Sequence, residues 1–568
     1  MGTRASRLLS SSDAQTKSRD ERSEEGYRCQ GAVPKAVTKT EDKIINNKSK
    51  AKGKRMLICE NKKSVLLGVF GITLILTAAL MKYGVDQMLK WQLKKNVPLR
   101  PGTTDRYKQW IFPTVPIHIE LYVFHVVNPD EVRSGATPVI RELGPYTYRE
   151  YLLKENITFN QDETLVSYNQ KKWYVFTPEL SCSGCDPEAD SVTTVNIAYA
   201  IMTEVAKSYS RIVRVGIDAL LKYEKEHLFM TRTVREVLWG YDDPLFAEFS
   251  KLKDMFNLKF LPEISPLITM EYNETYDGIS TVNTGTKNMD RTLDWIAWKG
   301  QSSMGLWNSS YANMINGSDG TQFPPGSGPG DTLYFFSTNL CRSIYLKFDS
   351  AKKMKGIPVN RYTTPASLFK NYTEVSSNRD FCLGRCYPDG ILAGSQDCTP
   401  STVTSPIVIS TPHFLLGDPQ LRTQVKGLKP DREKHGLYIS IEPTTGIPLQ
   451  ALIRLQINVF IQSVLGISET TGIPQAFVPV MHFSNNASVD DSTARTLREG
   501  LVVQLLVAKY AEMVVFALGG VFILAAIGLT VRHVRRRKIR EACGTESYDN
   551  VGPTDRLIDN NTKQYQTI

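Results

Sequence analysis

The sequence predicts an α+β membrane protein in which a large antiparallel sheet and a small helical bundle lie between two transmembrane helices. Two charge-free apolar runs near the ends of the 568-residue chain predict the helices. A long alternation of apolar and polar residues late in the chain predicts the sheet, and apolar residues that recur every three or four positions predict the bundle. A chain of this length also exceeds one ordinary domain.

The first apolar run is Ser64–Met81, which carries no charge and is flanked by Lys62, Lys63 and Lys82. As a helix it spans roughly 27 Å, close to the hydrocarbon thickness of a bilayer. It has no polar face, which a helix in the core of a soluble protein needs. A cleaved signal peptide is the alternative, but a long polar segment precedes the run. We therefore expect residues 64–81 to form the first transmembrane helix.

The second run, Met513–Val531, is followed at once by the basic cluster Arg532–Arg540. The net charge of +10 divides unevenly, with +8 on residues 1–63, +3 on residues 532–568 and −1 between them. Short basic flanks stay on the cytoplasmic side of a membrane. We therefore expect residues 513–531 to form the second transmembrane helix, with cytoplasmic tails at 1–63 and 532–568 and one luminal or extracellular domain at 82–512. The first tail has the composition of a disordered segment.

Alternating apolar residues predict strands at three places in this domain. Ile117–Asn128 and Leu165–Thr177 are rich in β-branched and aromatic residues. The longest alternation puts an apolar residue at every second position of 449–461. The polar residues between them are Gln450, Arg454, Gln456 and Asn458. So long a run does not fit a small sheet, and we expect a large, closed or strongly curved antiparallel sheet with one face packed inward.

A helical pair is predicted at about residues 196–229, because apolar residues recur there with helical spacing. These residues, here called the inner stripe, are Ile197, Ile201, Val205, Tyr209, Val213, Ile217, Leu220 and Leu221. The pair ends near the charged run Lys222–His227. A further short helix is expected at Val234–Trp239.

The domain also carries cysteines and glycosylation sequons. An even number of cysteines in an oxidising compartment points to disulfides. The six cysteines are Cys182, Cys185, Cys341, Cys382, Cys386 and Cys398. The pairs CSGC and CLGRC leave a four-thiolate zinc site open as an alternative, and CSGC alone leaves a redox dithiol. The sequons, which predict a glycosylated surface, are Asn156, Asn273, Asn308, Asn316, Asn371 and Asn486.

Seven motifs follow one another along the chain. They are GPYTYR (Gly144–Arg149), VREVLWGYDDP (Val234–Pro244), MINGSDGTQFPP (Met314–Pro325), YFFSTNLCRSIY (Tyr334–Tyr345), KGIPVNRY (Lys355–Tyr362), PHFLLGDP (Pro412–Pro419) and YISIEPTTGIPLQALIRLQIN (Tyr438–Asn458). Their order, between two terminal spans, resembles the class B scavenger receptor family of the fatty acid translocase and the lysosomal integral membrane protein. The resemblance implies a large, twisted antiparallel β-barrel-like core with an apical helical bundle. It also implies ligand binding at the apical helices and lipid passage through a tunnel in the domain.

The resemblance also bears on the cysteines. It implies the bridges Cys341–Cys398 and Cys382–Cys386. Cys182 and Cys185 are extra relative to the family pattern, and we expect them to pair with each other. Ala312 stands where some members carry a cysteine, so one familiar bridge is missing. On the chain-entropy model the first bridge contributes about 4 kcal/mol and the second about 2 kcal/mol.

Some members of the family use paired lysines at the apex for anionic ligands. Here Lys225 matches one of them, Tyr223 stands at the other, and Lys222 lies beside it. We expect Lys222 and Lys225 to bind ligand, with the inner stripe also on the ligand-facing side. Glu224 and Glu226 weaken the local positive field, and a solvated helix end is the alternative interpretation of the two lysines.

Two Tyr-x-x-apolar tetrapeptides lie in the C-terminal tail, Tyr548 to Val551 and Tyr565 to Ile568. Such a segment binds a clathrin adaptor as an extended strand. The terminal YQTI is similar to the tail endings of lysosomal membrane glycoproteins. We therefore expect a lysosomal or late endosomal membrane location, with the plasma membrane as the alternative.

The resulting functional hypothesis is a scavenger-receptor-like membrane glycoprotein. It would bind lipids or lipoproteins and pass cholesterol, fatty acid or phospholipid to the membrane. The alternative is a trafficking or endocytic receptor for a luminal protein or a particle, without lipid transport.

We expect no enzyme activity, cofactor, metal or nucleic-acid partner, because no catalytic motif is present and the histidines show no cluster spacing. The histidines of the domain are His118, His125, His227, His413, His435 and His482; of these, His227 is a candidate sensor of acidity, with an ordinary exposed histidine as the alternative.

Overall fold

A computed structural model describes residues 41–546 apart from 103, 256–266, 269–272, 395–397 and 401–403. The chain divides into two compact units. The β-rich unit comprises residues 84–508, and the helical unit contains the described parts of 1–83 and 509–568. Residues 1–40 of the tail predicted at 1–63 lie outside the described residues, as do the sorting residues Tyr548, Val551, Tyr565 and Ile568. Residues 41–63 of that tail are helical, so the expectation of a disordered segment was wrong for this part.

The β-rich unit is built on antiparallel strands. The strands are β1 (Ile117–Val126), β2 (Ile140–Phe159), β3 (Leu165–Phe176), β4 (Ser191–Val195), β5 (Phe229–Thr233), β6 (Tyr241–Asp242), β7 (Leu267–Ile268), β8 (Thr275–Asn283), β9 (Trp295–Trp298), β10 (Thr332–Ser337), β11 (Arg342–Met354), β12 (Ile357–Thr363), β13 (Ile391–Ala393), β14 (Ile407–Ser410), β15 (Tyr438–Ile441), β16 (Pro448–Ile461) and β17 (Ala476–Ser488). Thirteen of the described strands form one sheet in the order β10-β11-β12-β15-β16-β17-β1-β2-β3-β8-β9, with β14 beside β16 and β13 beside β14. Two small two-stranded sheets, β4–β5 and β6–β7, are separate from it.

The two edges of the large sheet meet at one short segment. Ser318 bridges to Asp294, just before β9, and also to Phe335 in β10. The Trp295 N–H donates to the Gly317 carbonyl at 2.9 Å, and the Ser318 N–H donates to the Tyr334 carbonyl at 2.9 Å. The sheet is therefore nearly closed and barrel-like, which confirms the predicted fold class.

Strand β16 corrects part of the sequence interpretation. The alternation predicted polar residues on an outward face, but Gln456 and Asn458 are both fully buried. The Gln456 side-chain amide donates to Asn458 Oδ1 at 2.6 Å, and Asn458 Nδ2 donates to Ser410 Oγ at 3.0 Å. Residues of both faces are buried between 458 and 461. Because neither face reaches water, the buried amides must satisfy one another.

Ten α-helices belong to the described part of the chain. They are α1 (Glu41–Asn96), α2 (Asp105–Ile111), α3 (Pro129–Arg133), α4 (Ile197–Lys207), α5 (Arg211–Tyr223), α6 (Val234–Trp239), α7 (Pro244–Met255), α8 (Arg432–His435), α9 (Asp491–Leu497) and α10 (Gln504–Glu546). Helix α6 has the predicted bounds because of its caps. Thr233 and Glu236 form a capping box at its start, and Gly240, with a φ of 91°, follows its end.

The helical unit pairs the two apolar runs. Lys62–Asn96 and Asp491–Ile539 each form a stretch long and apolar enough to cross a membrane. The two helices are in close contact at Gly71 and Gly519, where a Cβ added to Gly71 would lie 2.9 Å from the Gly519 carbonyl oxygen. Glycine at such a crossing lets the two backbones come into contact.

The structure contains three disulfides, Cys182–Cys185, Cys341–Cys398 and Cys382–Cys386. These are the pairings expected from the sequence. Cys341 and Cys398 lie in an apolar core of the β-rich unit, where they are 1% and 8% exposed. With all six sulfurs in disulfides, none remains as a thiolate for the zinc alternative.

Candidate functional site

The helical pair α4–α5 connects β4 to β5 along the chain, and these two strands pair with each other at its base. Asn196 fixes the start of α4, because its Oδ1 accepts from the Tyr199 N–H at 3.1 Å. Its Nδ2 donates to the Glu226 carboxylate at 2.5 Å, just beyond the end of α5. Glu226, one of the two acids predicted to weaken the positive field around the lysines, is thus hydrogen-bonded to the start of α4.

The inner stripe lies on the core side of the pair. Ile197, Val205, Ile217 and Leu221 are buried, and the other stripe residues pack against the same apolar cluster. From Ile197 to Ala206, helix α4 is buried at every position except Ile201. The periodicity therefore predicted the helices correctly, but the assignment of the inner stripe to a ligand-facing surface was wrong.

Helix α5 presents a second apolar row to solvent, which the sequence interpretation missed. Ile212 is 85% exposed, Val215 is 55% exposed and Tyr223 is 78% exposed. With the exposed Ala219 they follow spacings of three and four residues, so all four lie on one side of the helix. We call these four residues the outer stripe. Exposed apolar side chains that share one helix face are a candidate contact surface.

Lys222 borders the outer stripe and is held in place by an acid. Its Nζ lies 2.7 Å from Asp218 Oδ2, and its side chain is 62% exposed. Asp218 also accepts from the backbone N–H and the hydroxyl of Ser468, at 2.7 and 2.8 Å. Burial opposes ionisation of Asp218, but the bonds from Lys222 and Ser468 together hold its pKa below the ordinary value. Lys222 is therefore positioned, and its charge is partly neutralised.

Lys225 is exposed and terminates helix α5. Its φ of 56° is left-handed, a conformation that a residue after a helix commonly adopts and that glycine favours. The Glu226 N–H behind it donates to the Leu221 carbonyl at 2.9 Å, which closes the helix end. Within the described residues Lys225 forms no ion pair, so its charge is available to an anionic ligand.

His227 lies directly behind this helix end. Its Nδ1 contacts the Glu469 carboxylate, which also accepts from the Leu228 N–H at 2.7 Å. Glu469 further lies 3.5 Å from Arg133. The candidate acidity sensor is thus half exposed and paired with a carboxylate that also contacts an arginine.

A second polar cluster joins histidines that are far apart in sequence. The ring centres of His413 and His435 lie 4.3 Å apart, and those of His413 and His482 lie 5.6 Å apart. Glu142 Oε2 lies 2.6 Å from His413 Nε2 and 3.5 Å from His482 Nε2. The sequence showed no cluster spacing, but the folded chain brings three of the histidines together, so the expectation of no cluster was wrong. Adjacent strands β17, β1 and β2 bring His482 and Glu142 together, and sequence spacing carries no signal of that.

Glu142, His413 and His482 form a donor set that a metal ion could use, so the protonation of the rings matters. His413 Nδ1 accepts from the Lys429 N–H at 3.1 Å. The ring proton of neutral His413 therefore lies on Nε2, facing Glu142. A metal-bound histidine has the opposite arrangement, with its remaining N–H as a donor to the surroundings. The geometry therefore does not favour a metal site, because the His413 nitrogen that faces Glu142 carries the ring proton.

The electrostatics of this cluster follow from burial. Burial raises the pKa of Glu142, but the contacts from His413 and His482 outweigh it and hold the pKa below its ordinary value. Burial lowers the pKa of His482. Burial, followed by the nearby positive charges of His413 and His482, lowers the pKa of His435 to about 4.

The sequons are spread over the β-rich unit. Asn156, Asn273 and Asn308 are exposed, whereas Asn316, Asn371 and Asn486 are half-buried. At two of the sites the side-chain nitrogen to which a glycan attaches already donates a hydrogen bond. Asn308 Nδ2 donates to the Cys382 carbonyl at 2.7 Å, and Asn371 Nδ2 donates to the Tyr387 carbonyl at 2.6 Å. Glycosylation of the six sites stays a prediction.

Comparison with known proteins decides the family. The model of the CD36 family matches residues 69–530, which include the large sheet, the helical pair and most of both apolar runs. The chain belongs to the CD36 family. Scavenger receptor class B member 1 of Rattus norvegicus is 34% identical over 466 residues, covering 81% of this chain and 88% of the relative. Lysosome membrane protein 2 is 35% identical in Rattus norvegicus, over 83% of this chain and 94% of the relative, and 34% identical in Homo sapiens, over 81% and 91%.

Membership of the CD36 family confirms the resemblance to class B scavenger receptors. The chain is a scavenger-receptor-like membrane protein with two helices suited to spanning a bilayer. One group of its relatives is named for the lysosome membrane, in agreement with the predicted location. These relatives are named as receptors and membrane proteins rather than as enzymes.

Proposed function

We propose that this CD36-family protein binds lipid or lipoprotein ligands at helix α5 and passes lipid through a tunnel of the ectodomain to the lysosomal membrane. In this proposal residues 82–512 are luminal, residues 64–81 and 513–531 span the bilayer, and both tails are cytoplasmic. The lipid is cholesterol, fatty acid or phospholipid. The plasma membrane is the alternative location.

The outer stripe is the observation that carries the proposal. A row of four exposed apolar side chains on one face of α5 offers contact to an apolar surface, and water is released when they are covered. Arg211, Lys222 and Lys225 stand near its two ends and are exposed. An apolar row with basic residues at its ends matches a lipid surface that carries anionic head groups.

The binding half of the proposal is tested on the full-length protein in detergent or nanodiscs. Replacing Ile212 and Val215 with serine should reduce binding to lipoproteins and to anionic phospholipid vesicles at least tenfold. Both side chains face solvent, so the fold should be preserved. The matched control is Leu180→Ser, which removes a 51% exposed leucine elsewhere on the β-rich unit. Equal binding by the double variant and the control would contradict the assignment of α5 as the binding surface.

The transfer half is tested separately, by reconstituting the protein into vesicles and following a fluorescent cholesterol or fatty acid. Transfer faster than in protein-free vesicles supports the proposed tunnel. Binding without faster transfer would instead establish the alternative, a trafficking or endocytic receptor for a luminal protein ligand or a particle.

The location is proposed to depend on the C-terminal tail. Tyr565 and Ile568, and likewise Tyr548 and Val551, would each bind a clathrin adaptor through a tyrosine pocket and an aliphatic pocket. Imaging of tagged wild-type and Tyr565→Ala proteins tests this. Wild type should reach lysosomes and the variant should accumulate at the cell surface. A wild-type protein that stays at the cell surface would contradict the lysosomal location.

A further inference from the structure

A cavity of about 40 Å³ lies beside the Cys382–Cys386 disulfide in the β-rich unit. One water molecule needs roughly 10–15 Å³ by the same measure, so the cavity has room for a few waters or for one small chemical group. Its wall contains both aromatic rings and cations. The residues that matter here are Trp307, Arg342, Lys370, Phe381, Arg385 and Tyr387.

Arg342 is the unusual member of this wall. Arg342 is only 6% exposed, its side-chain Nε is buried without a hydrogen-bond partner, and its guanidinium has no acidic partner among the residues that the structure describes. Its guanidinium stacks on Phe381, with Cζ 3.4 Å from the ring centre. Burial lowers the pKa of Arg342 to about 10, still far above neutral, so the group is charged. A buried cation without a counter-ion carries a desolvation cost that an anion would offset.

The rest of the wall holds this arginine in position. Phe381 packs edge-on against Trp307, with ring centres 5.2 Å apart. Trp307 Nε1 donates to the Cys341 carbonyl at 2.7 Å, and Cys341 is bonded to Cys398. The guanidinium therefore lies against a stack that is tied to a core disulfide. Such a preorganised donor loses little conformational entropy when a ligand binds.

The other two cations of the wall already have acidic partners. Lys370 Nζ lies 2.7 Å from Asp389 and 3.0 Å from Glu374. Arg385 lies 3.6 Å from Glu204, although its Nη1 is buried without a hydrogen-bond partner. An anion in the cavity would thus meet one guanidinium that has no acidic partner among the described residues, and one N–H of a second guanidinium that has no hydrogen-bond partner there.

We propose that this cavity binds one small anionic group, a carboxylate or a phosphate, through Arg342 with a second contact from Arg385. The planar guanidinium can donate two parallel hydrogen bonds to either group. The group is the head of a lipid or a free anion. In the first case the apolar tail extends out of the cavity, which has no room for it. The site does not depend on lipid transfer or on ligand binding at α5, and it can fail or succeed apart from them.

The test is calorimetric titration and thermal unfolding of the full-length protein in a nonionic detergent. The probes are inorganic phosphate, decanoate and, as an uncharged match, decanol. Phosphate or decanoate should bind and raise the unfolding midpoint, and decanol should not. A response to decanoate alone identifies a lipid head group, and a response to phosphate identifies a free-anion site. Absence of both responses overturns the proposal, as does an equal response to decanol.

Arg342→Met should weaken anion binding at least tenfold. Arg361→Met is the matched control, because Arg361 also stacks on a ring, that of Tyr438, at 3.8 Å, but has the carboxylate partner Glu433 at 3.7 Å. If Arg342→Met fails to fold, Arg342→Lys keeps the charge, loses the planar fork, and should still weaken binding several-fold. Unchanged affinity in either Arg342 variant, or an equal loss in the Arg361 control, overturns the proposal.

Discussion

Replacing His435 with asparagine should make the protein less sensitive to acid. His435 is 8% exposed, and its Nδ1 accepts from the Asp431 N–H at 3.0 Å. Asparagine Oδ1 can take over this accepted bond but cannot bind a proton in this range. The pKa of His435 is lowered to about 4 by burial and by the neighbouring histidines, whereas the ordinary value is 6.5. The variant therefore removes a group that resists protonation only in the folded state.

The magnitude follows from proton linkage. The unfolded chain binds the proton near pH 6.5 and the folded chain binds it only near pH 4, so stability falls as the pH drops through this window. Between pH 7 and pH 4.5 the difference amounts to about 2 kcal/mol. Burial of His482 acts in the same direction. Glu142, whose pKa is lowered, loses its stabilising effect only below its ordinary value of 4.5 and leaves this window unchanged.

The assay is denaturant unfolding of the full-length protein in detergent at pH 7 and pH 4.5. Wild type should lose stability on acidification, and His435→Asn should lose about 2 kcal/mol less. His227→Asn is the control, because His227 is 58% exposed on its side chain, and its removal should not reduce the loss. If His435→Asn loses as much stability as wild type, the buried histidine does not set the acid sensitivity and the reasoning is refuted.

Three further substitutions test contacts elsewhere. Gly71→Ala should destabilise the helical unit by roughly 1–3 kcal/mol in detergent unfolding, because the added Cβ would lie 2.9 Å from a backbone oxygen. Gly68→Ala is the control and should be tolerated, since the nearest atom to its added Cβ lies 3.7 Å away. Lys225→Gly should raise the free energy of unfolding by about 1 kcal/mol, because glycine adopts the left-handed backbone conformation without strain. Lys225→Ala should give no such gain. Both variants should weaken binding to anionic vesicles equally, since both remove the charge. Glu204→Gln should strengthen phosphate binding in the cavity several-fold by releasing Arg385, and unchanged affinity would show that Arg385 makes no contact with the anion.

Local sequence patterns predicted the secondary-structure elements that are determined by interactions between residues close together in the chain. The capping box of Thr233 and Glu236 lies within the chain segment it caps, so the bounds of α6 could be predicted. The four-residue apolar period located α4 and α5 for the same reason. The alternation of β16 located the strand, but it could not reveal that Gln456 is buried, because two of the hydrogen-bond partners of its side chain, Ser410 and His413, lie in a distant segment.

What the sequence left out depends on contacts between distant segments. An apolar period says that one helix face is buried, and it does not say whether the opposite face is free or carries its own apolar row. In α5 that opposite face is the outer stripe. Likewise, Glu142 and His482 meet only because β1 lies between β2 and β17 in the sheet, and the lack of an acidic partner for Arg342 among the described residues is also a result of the fold. Composition and spacing contain none of this information.

The two helices of the candidate site divide their roles, and the division links the site to the anion cavity. Helix α4 is buried nearly all round, so its side chains serve the fold, while α5 exposes the apolar row that the proposal assigns to ligand binding. Glu204 is the buried acid of α4, and it lies 3.6 Å from Arg385 in the cavity wall. An anion bound to Arg385 would compete with Glu204 for the same guanidinium. Binding of the proposed anion would therefore change the electrostatic environment of α4 through a single arginine.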